Sequence, residues 1–124
     1  MLDDIAGLYS AADGAGFDAK CQRLAERFAT LERRLVAAPW FDGGAFRLVD
    51  AAAAPVFRYL DAFEHVGACA PTHGLPRIAR WRATLAARPS VRNAVRADYP
   101  ERLMAFLARR GSHLSSLILG RDAA

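Results

Sequence analysis

WFDGGAFRLVDAAAAPVFRYL, residues Trp40 to Leu60, decides the fold. An aromatic pair runs into a Gly-Gly loop, a short apolar run meets a carboxylate at Asp50, and a small-residue segment follows. This is the pattern of a helix start suited to a protein interior. A carboxylate near a helix N-terminus accepts orphan backbone N–H groups and complements the positive end of the helix dipole. Phe46 before the start and Ala51 after it are placed for a weak hydrophobic staple. Ala51 to Ala54 present a face smooth enough for another helix to approach closely. Pro55 falls inside the same helix, expected from about Leu48 to His65. It should kink that helix, because it removes one hydrogen bond and crowds the preceding turn.

Outward from this stretch every element reads as helix. No run alternates with period two, and Val and Ile are sparse beside Ala, Leu and Arg. Met1 to Ala12 is mildly helical and ends at a break, Asp13-Gly14-Ala15-Gly16. Asp18 to Ala38 is the clearest helix, with Asp18 as its expected N-cap, Leu24, Phe28, Leu31 and Leu35 on one stripe, and Pro39 as its stop. Gly67 to Gly74 is a loop. Pro76 suits a first helical turn, and Ile78, Trp81 and Leu85 give the next stripe. Pro89-Ser90 restarts a short helix to about Ala97. Pro100 opens another that closes at Gly111, and Ser112 can cap a last turn. The expectation is an all-α bundle of about five to seven helices in one domain spanning residues 1–124.

Composition bounds the rest. A chain of 124 residues and 13.5 kDa that is 53% apolar supports a modest core. No apolar run approaches the ~18 residues of a membrane span, so no membrane partner is expected. The acidic N-terminus, Met-Leu-Asp-Asp, is unlike an export signal. A cytoplasmic protein is therefore expected, with Cys21 and Cys69 as reduced thiols. The net charge is +4, carried by sixteen Arg and one Lys. Arg77, Arg80, Arg82, Arg88, Arg92 and Arg96 could form a basic face. No aromatic residues alternate with them as base stacking requires, so a solvated face and no nucleic-acid partner are expected.

Few residues offer chemistry. Cys21 would sit at a helix start, where a thiolate gains from the dipole, but no partner base is near in sequence. A packed side chain is the expected role. His65, Cys69 and His73 approach metal-ligand spacing yet lack a fourth ligand, so no metal is expected. The histidines read as solvent-exposed imidazoles. No catalytic residue stands out.

The Trp40–Leu60 stretch also resembles the loop and buried-helix signature of the C-terminal domain of glutathione transferases, through Phe41, Gly43 or Gly44, Phe46, Leu48, Val49 and Asp50. LPRIARWRATLAARPSVRNAV (Leu75 to Val95) is similar to the family's next segment, a helix with a central Trp followed by R-P-S-V. The resemblance runs from about Lys20 to Leu117. It implies that Asp50 is the N3 member of a buried capping box that supports folding, with Phe46 beside it. The Ser or Thr of that box is Arg47 here, which cannot accept a hydrogen bond, so half of the box is missing at a cost of ~1 kcal/mol. Asp50 can still bond back to the Arg47 backbone.

The resemblance further implies a two-domain parent, in which a thioredoxin-like domain binds glutathione as co-substrate and the helical domain supplies the apolar wall of the electrophile site and half of a homodimer contact. Ile5, Leu8 and Tyr9 are then the nearest pocket candidates, with Trp81 behind them. No thioredoxin-like pattern occurs in these residues, and the first helix reads as clipped, as in a truncated transferase. The chain alone is expected to bind no cofactor and to be inactive. The alternative is a stand-alone helical interaction module without catalysis, since the fold does not itself imply activity.

Overall fold

The computed structural model describes residues 2–35, 40–41 and 43–123. Seven helices follow in order: α1 (Leu2–Ser10), α2 (Gly14–Arg34), α3 (Leu48–Val66), α4 (Pro76–Ala87), α5 (Pro89–Arg92), α6 (Tyr99–Ala108) and α7 (His113–Ala123). The all-α expectation holds among the described residues. Their only β pairing is an isolated bridge between Trp40 and Gly43 in the loop before α3. Among the described residues no helix is long and apolar enough to cross a membrane.

α3 is the centre of the bundle. It packs against α1, α4, α6 and α7, while α2 packs against α1, α4 and α7. The reason lies in its sequence. Asp50, Ala54, Phe57, Leu60 and Phe63 recur at helical spacing and are buried, with Val56 and Ala62 widening the apolar face. The expected stripes close the core around them. Leu24, Phe28 and Leu35 are buried, as are Ile78, Trp81 and Leu85; Leu31 is half-buried at its edge. Leu103 and Leu107 of α6 and Leu114 and Ile118 of α7 complete it. α3 runs through Pro55 without a break. The carbonyl of Ala51, deprived of its i+4 donor, lies on an exposed residue where water can reach it.

The helix ends show why the chain folds where it does. Asp13, not Asp18, caps α2: its Oδ1 accepts from Gly16 N at 2.8 Å. The Asp-Gly-Ala-Gly segment is thus a helix entry rather than a break, and Gly14 and Gly16 lie inside the first turn. Gly14 also leaves room for His113, whose ring would come within 3.3 Å of a Cβ there. α2 ends at Arg34, four residues short of the expected Ala38; Val36 to Pro39, and with them the expected Pro39 stop, lie outside the described residues. α3 closes at Gly67, whose φ of +77° suits a residue without Cβ. There Gly67 N donates to Glu64 O and Ala68 N to Phe63 O, both at 3.0 Å, which satisfies the last carbonyls. α5 stops at Arg92 rather than Ala97.

Ser112 caps α7 as expected, and the cap is reciprocal. Ser112 Oγ accepts from Ser115 N, and Ser115 Oγ accepts from Ser112 N, each at 3.2 Å. Ser115 Oγ also donates to Leu107 O at 2.6 Å, which ties α7 to α6.

The expectation of free thiols is overturned. Cys21 and Cys69 form a disulfide across 48 residues, with Cα atoms 6.2 Å apart. Their separation in sequence hid a proximity that only the packing of the α3–α4 loop against α2 creates. Cys21 lies well inside α2, away from the helix start and its dipole.

Candidate functional site

Two features are organised beyond ordinary packing. The first is the surround of Asp50, which is fully buried. Its Oδ2 accepts from Arg47 N at 2.8 Å; its Oδ1 accepts from Phe41 N at 2.9 Å and from Trp81 Nε1 at 2.7 Å. Arg47 contributes no side-chain cap, as its chemistry dictates. One carboxylate therefore fastens three segments: the start of α3, the aromatic loop and the middle of α4. Trp81 sits between Phe41 and Phe57, at ring distances of 5.4 and 5.3 Å. Phe46 meets Trp40 edge-on at 5.1 Å, and the Arg88 guanidinium lies 3.8 Å above the Phe46 ring and 5.5 Å from that of Trp40. Three donors converging on a carboxylate with no exposed surface hold a fold together.

The second is an aromatic face where α1, α3 and α6 meet. Tyr9 stacks on Tyr59 at 5.7 Å and meets Phe106 edge-on at 5.7 Å. Arg110 lies over both Tyr9 (5.1 Å) and Phe106 (5.3 Å), and its Nη2 donates to Ser10 Oγ at 3.0 Å. Burial, and to a lesser degree the neighbouring Tyr9 and Tyr99, push the Tyr59 hydroxyl pKa upward, with Arg110 opposing. Tyr59 thus stays neutral, so the face offers aromatic surface beside one guanidinium.

Two clefts flank α3. One, of about 620 Å³, lies against α6 and α7 and is mostly apolar, lined by Ala62, Leu103, Met104 and Ile118 together with Arg58 and Tyr99. The other, of about 660 Å³, lies against α4, α5 and the α3–α4 loop. Arg82 dominates its wall, bonded to Glu64, Asp61 and Thr72. Burial works against the Arg82 charge, but the two carboxylates outweigh it and raise its pKa. The arginines expected on a solvated face are partly engaged within the domain: besides Arg82, Arg77 donates to Leu35 O at 3.1 Å and Arg88 to Ser90 Oγ at 2.8 Å.

Ile5 and Leu8, read as pocket candidates, are 1% and 0% exposed and belong to the core. They fall on the inner face of α1, whereas Tyr9 lies half-buried on its rim. Trp81 is 4% exposed and turned toward Asp50. None of these four lines either cleft. His65 and His73 are exposed, but His113 is half-buried against Phe17 at 5.3 Å. Cys69 is committed to Cys21, and no group of three His, Cys, Asp or Glu among the described residues is placed to hold a metal.

One contributor had no local signal. Glu32, near the end of α2, caps α4: its Oε2 accepts from Arg77 N at 3.1 Å and its Oε1 from Ile78 N at 2.9 Å. The hint was indirect. Leu75-Pro76 opens α4 with no side chain able to accept, so the acceptor had to come from elsewhere.

Compared with known proteins, residues 14–84 match the family described as glutathione S-transferase, C-terminal domain. Neither a curated protein nor a solved structure matches the chain. The matched span runs from the capped start of α2, across the Asp50 cluster, to Thr84 in the last turn of α4, more than half of the sequence. By that match, and by the all-helical architecture that accompanies it, the chain belongs to the glutathione S-transferase C-terminal domain family.

Proposed function

We propose that this domain supplies the apolar wall of the electrophile site, and dimer contacts, in a glutathione-dependent transferase. Glutathione would be held by a thioredoxin-like domain outside these 124 residues, and a second copy would share the dimer contact. The observation that carries this reading is the Tyr9–Tyr59–Phe106 face with Arg110 beside it. Stacked aromatic surface next to a cation suits a planar, electron-poor or acidic aromatic compound. Exposed apolar side chains at the start of α3 agree with a neighbouring domain: Leu48 is 85% exposed and Val49 37%. Catalysis itself would belong to a thiol-activating group on the partner domain.

The reading is tested by titrating the chain with a nitroaromatic electrophile and with glutathione, followed by NMR. Shifts at Tyr9, Tyr59 and Phe106 with the electrophile, weakened about five- to tenfold by Tyr9→Ala, are expected. No retention on immobilised glutathione is expected; retention would contradict the division of labour, and silence of the aromatic face would remove the wall role.

A second reading, a stand-alone interaction module, draws on the disulfide and on the Glu32 cap, which tie the domain to itself. Sedimentation separates the two. A discrete dimer that is stable to dilution favours the module, and aggregation favours a domain missing its neighbour.

A further inference from the structure

The α3–α4 loop is anchored by one covalent bond. Cys69 is two residues past the glycine that ends α3, is 6% exposed, and is bonded to Cys21 on α2. Three residues further on, Thr72, His73 and Gly74 form a wall of the cleft against α4 and α5, facing Asp61, Glu64 and Arg82. The loop's bond across that cleft is long: Arg82 Nη1 reaches Thr72 Oγ1 at 3.3 Å, while Arg82 is held by Glu64 and Asp61 without the loop's help. Inside the loop two turn bonds remain, His73 N to Ala70 O and Leu75 N to Thr72 O. At its far end the loop is pinned again where Glu32 caps α4. Cutting the disulfide would leave the loop tethered at both ends and held in between only by the burial of Pro71 and Thr72, the two turn bonds and the long bond to Arg82.

We propose that Cys21–Cys69 is a reversible redox latch that sets the freedom of the α3–α4 loop and so the width of the Arg82 cleft. The inference rests on the disulfide and the cleft, and is independent of the electrophile-wall reading. Cys21 is the half-buried partner and the more open to attack. A thiolate of a dithiol reductant attacks Cys21 Sγ; the S–S bond breaks, and Cys69 leaves as a thiolate that takes up a proton. The reductant's second thiol then attacks the mixed disulfide, closes its own disulfide and releases Cys21. Two electrons pass from reductant to protein, and an oxidised dithiol reverses the exchange.

The test uses the full chain, oxidised, exposed to dithiothreitol without denaturant. Expected are maleimide labelling of both cysteines, an unchanged far-UV helical signal, and amide exchange faster by about tenfold in residues 68–75 while the core amides of α3 keep their rate. Reoxidation should restore the slow exchange. The Cys21→Ser/Cys69→Ser double variant should show the fast loop without reductant and no response to it. The latch is overturned if both thiols label before reduction, if labelling waits for denaturant, or if reduction leaves loop exchange unchanged. Loss of the helical signal on reduction also overturns it, because the bond is then a staple of the whole fold; the reduced wild-type protein decides this even where the double variant does not fold.

Discussion

The starts of α3 and α4 pose the same problem and solve it from opposite directions. At both, the N-cap side chain forms no capping hydrogen bond: Arg47 has no acceptor and Leu75 no polar atom. At α3 the remedy is local, a carboxylate three residues on that turns back to Arg47 N and also takes in Phe41 N and Trp81 Nε1. At α4 the remedy is remote, Glu32 arriving from α2 across 45 and 46 residues. The local solution is buried and serves three donors. The remote one serves two at the bundle's edge, with the Glu32 side chain 16% exposed. Depth and the number of dependents, rather than the kind of cap, should rank their importance.

The sharpest way to break this comparison is Asp50→Ala, which strands three donors in the interior. A loss of ~3–5 kcal/mol is expected in urea unfolding, enough to bring a small domain near its limit. A loss below that of the Glu32 variant would reverse the ranking. Trp81→Phe removes only one of the three donors and trims the packing against Phe41 and Phe57; about 2 kcal/mol is expected from the same measurement. Glu32→Ala should cost ~1–2 kcal/mol, as cap losses do, with faster amide exchange confined to the first turn of α4. Glu32→Gln keeps one carbonyl acceptor and should recover about half of that. The start of α7 supplies a third case, since Ser112 and Ser115 cap each other without charge. Ser112→Ala should cost ~1 kcal/mol, seen as a lower Tm; a cost as large as that of Asp50→Ala would show that burial and charge do not set the order.

What could be read in advance follows the range of the interactions. The stripes Leu24–Phe28 and Ile78–Trp81–Leu85, the cap at Ser112 and the return of Asp50 to Arg47 all act within a few residues, and all are found. The misplaced cap at Asp18 is a failure of the same local logic. Asp13 precedes glycines that look like a break, yet a glycine inside a helix costs only about 1 kcal/mol, and the Asp13 bond to Gly16 N with the packing of Phe17 outweighs it. Burial along α1 turns on a finer point. Ile5, Leu8 and Tyr9 share one short helix, and a rotation of about 100° per residue separates a core position from a rim position. No local pattern says which neighbour α1 will meet.

By itself the sequence determined an all-helical domain organised around a carboxylate at position 50, because helix periodicity, capping and turn chemistry are local and additive. Tertiary structure alone decided that Cys21 meets Cys69, that Glu32 completes α4, and that Tyr9 rather than Ile5 or Leu8 joins Tyr59 and Phe106. These pairings depend on how helices cross, and crossing is set by the fit of whole side-chain surfaces, which no single residue carries.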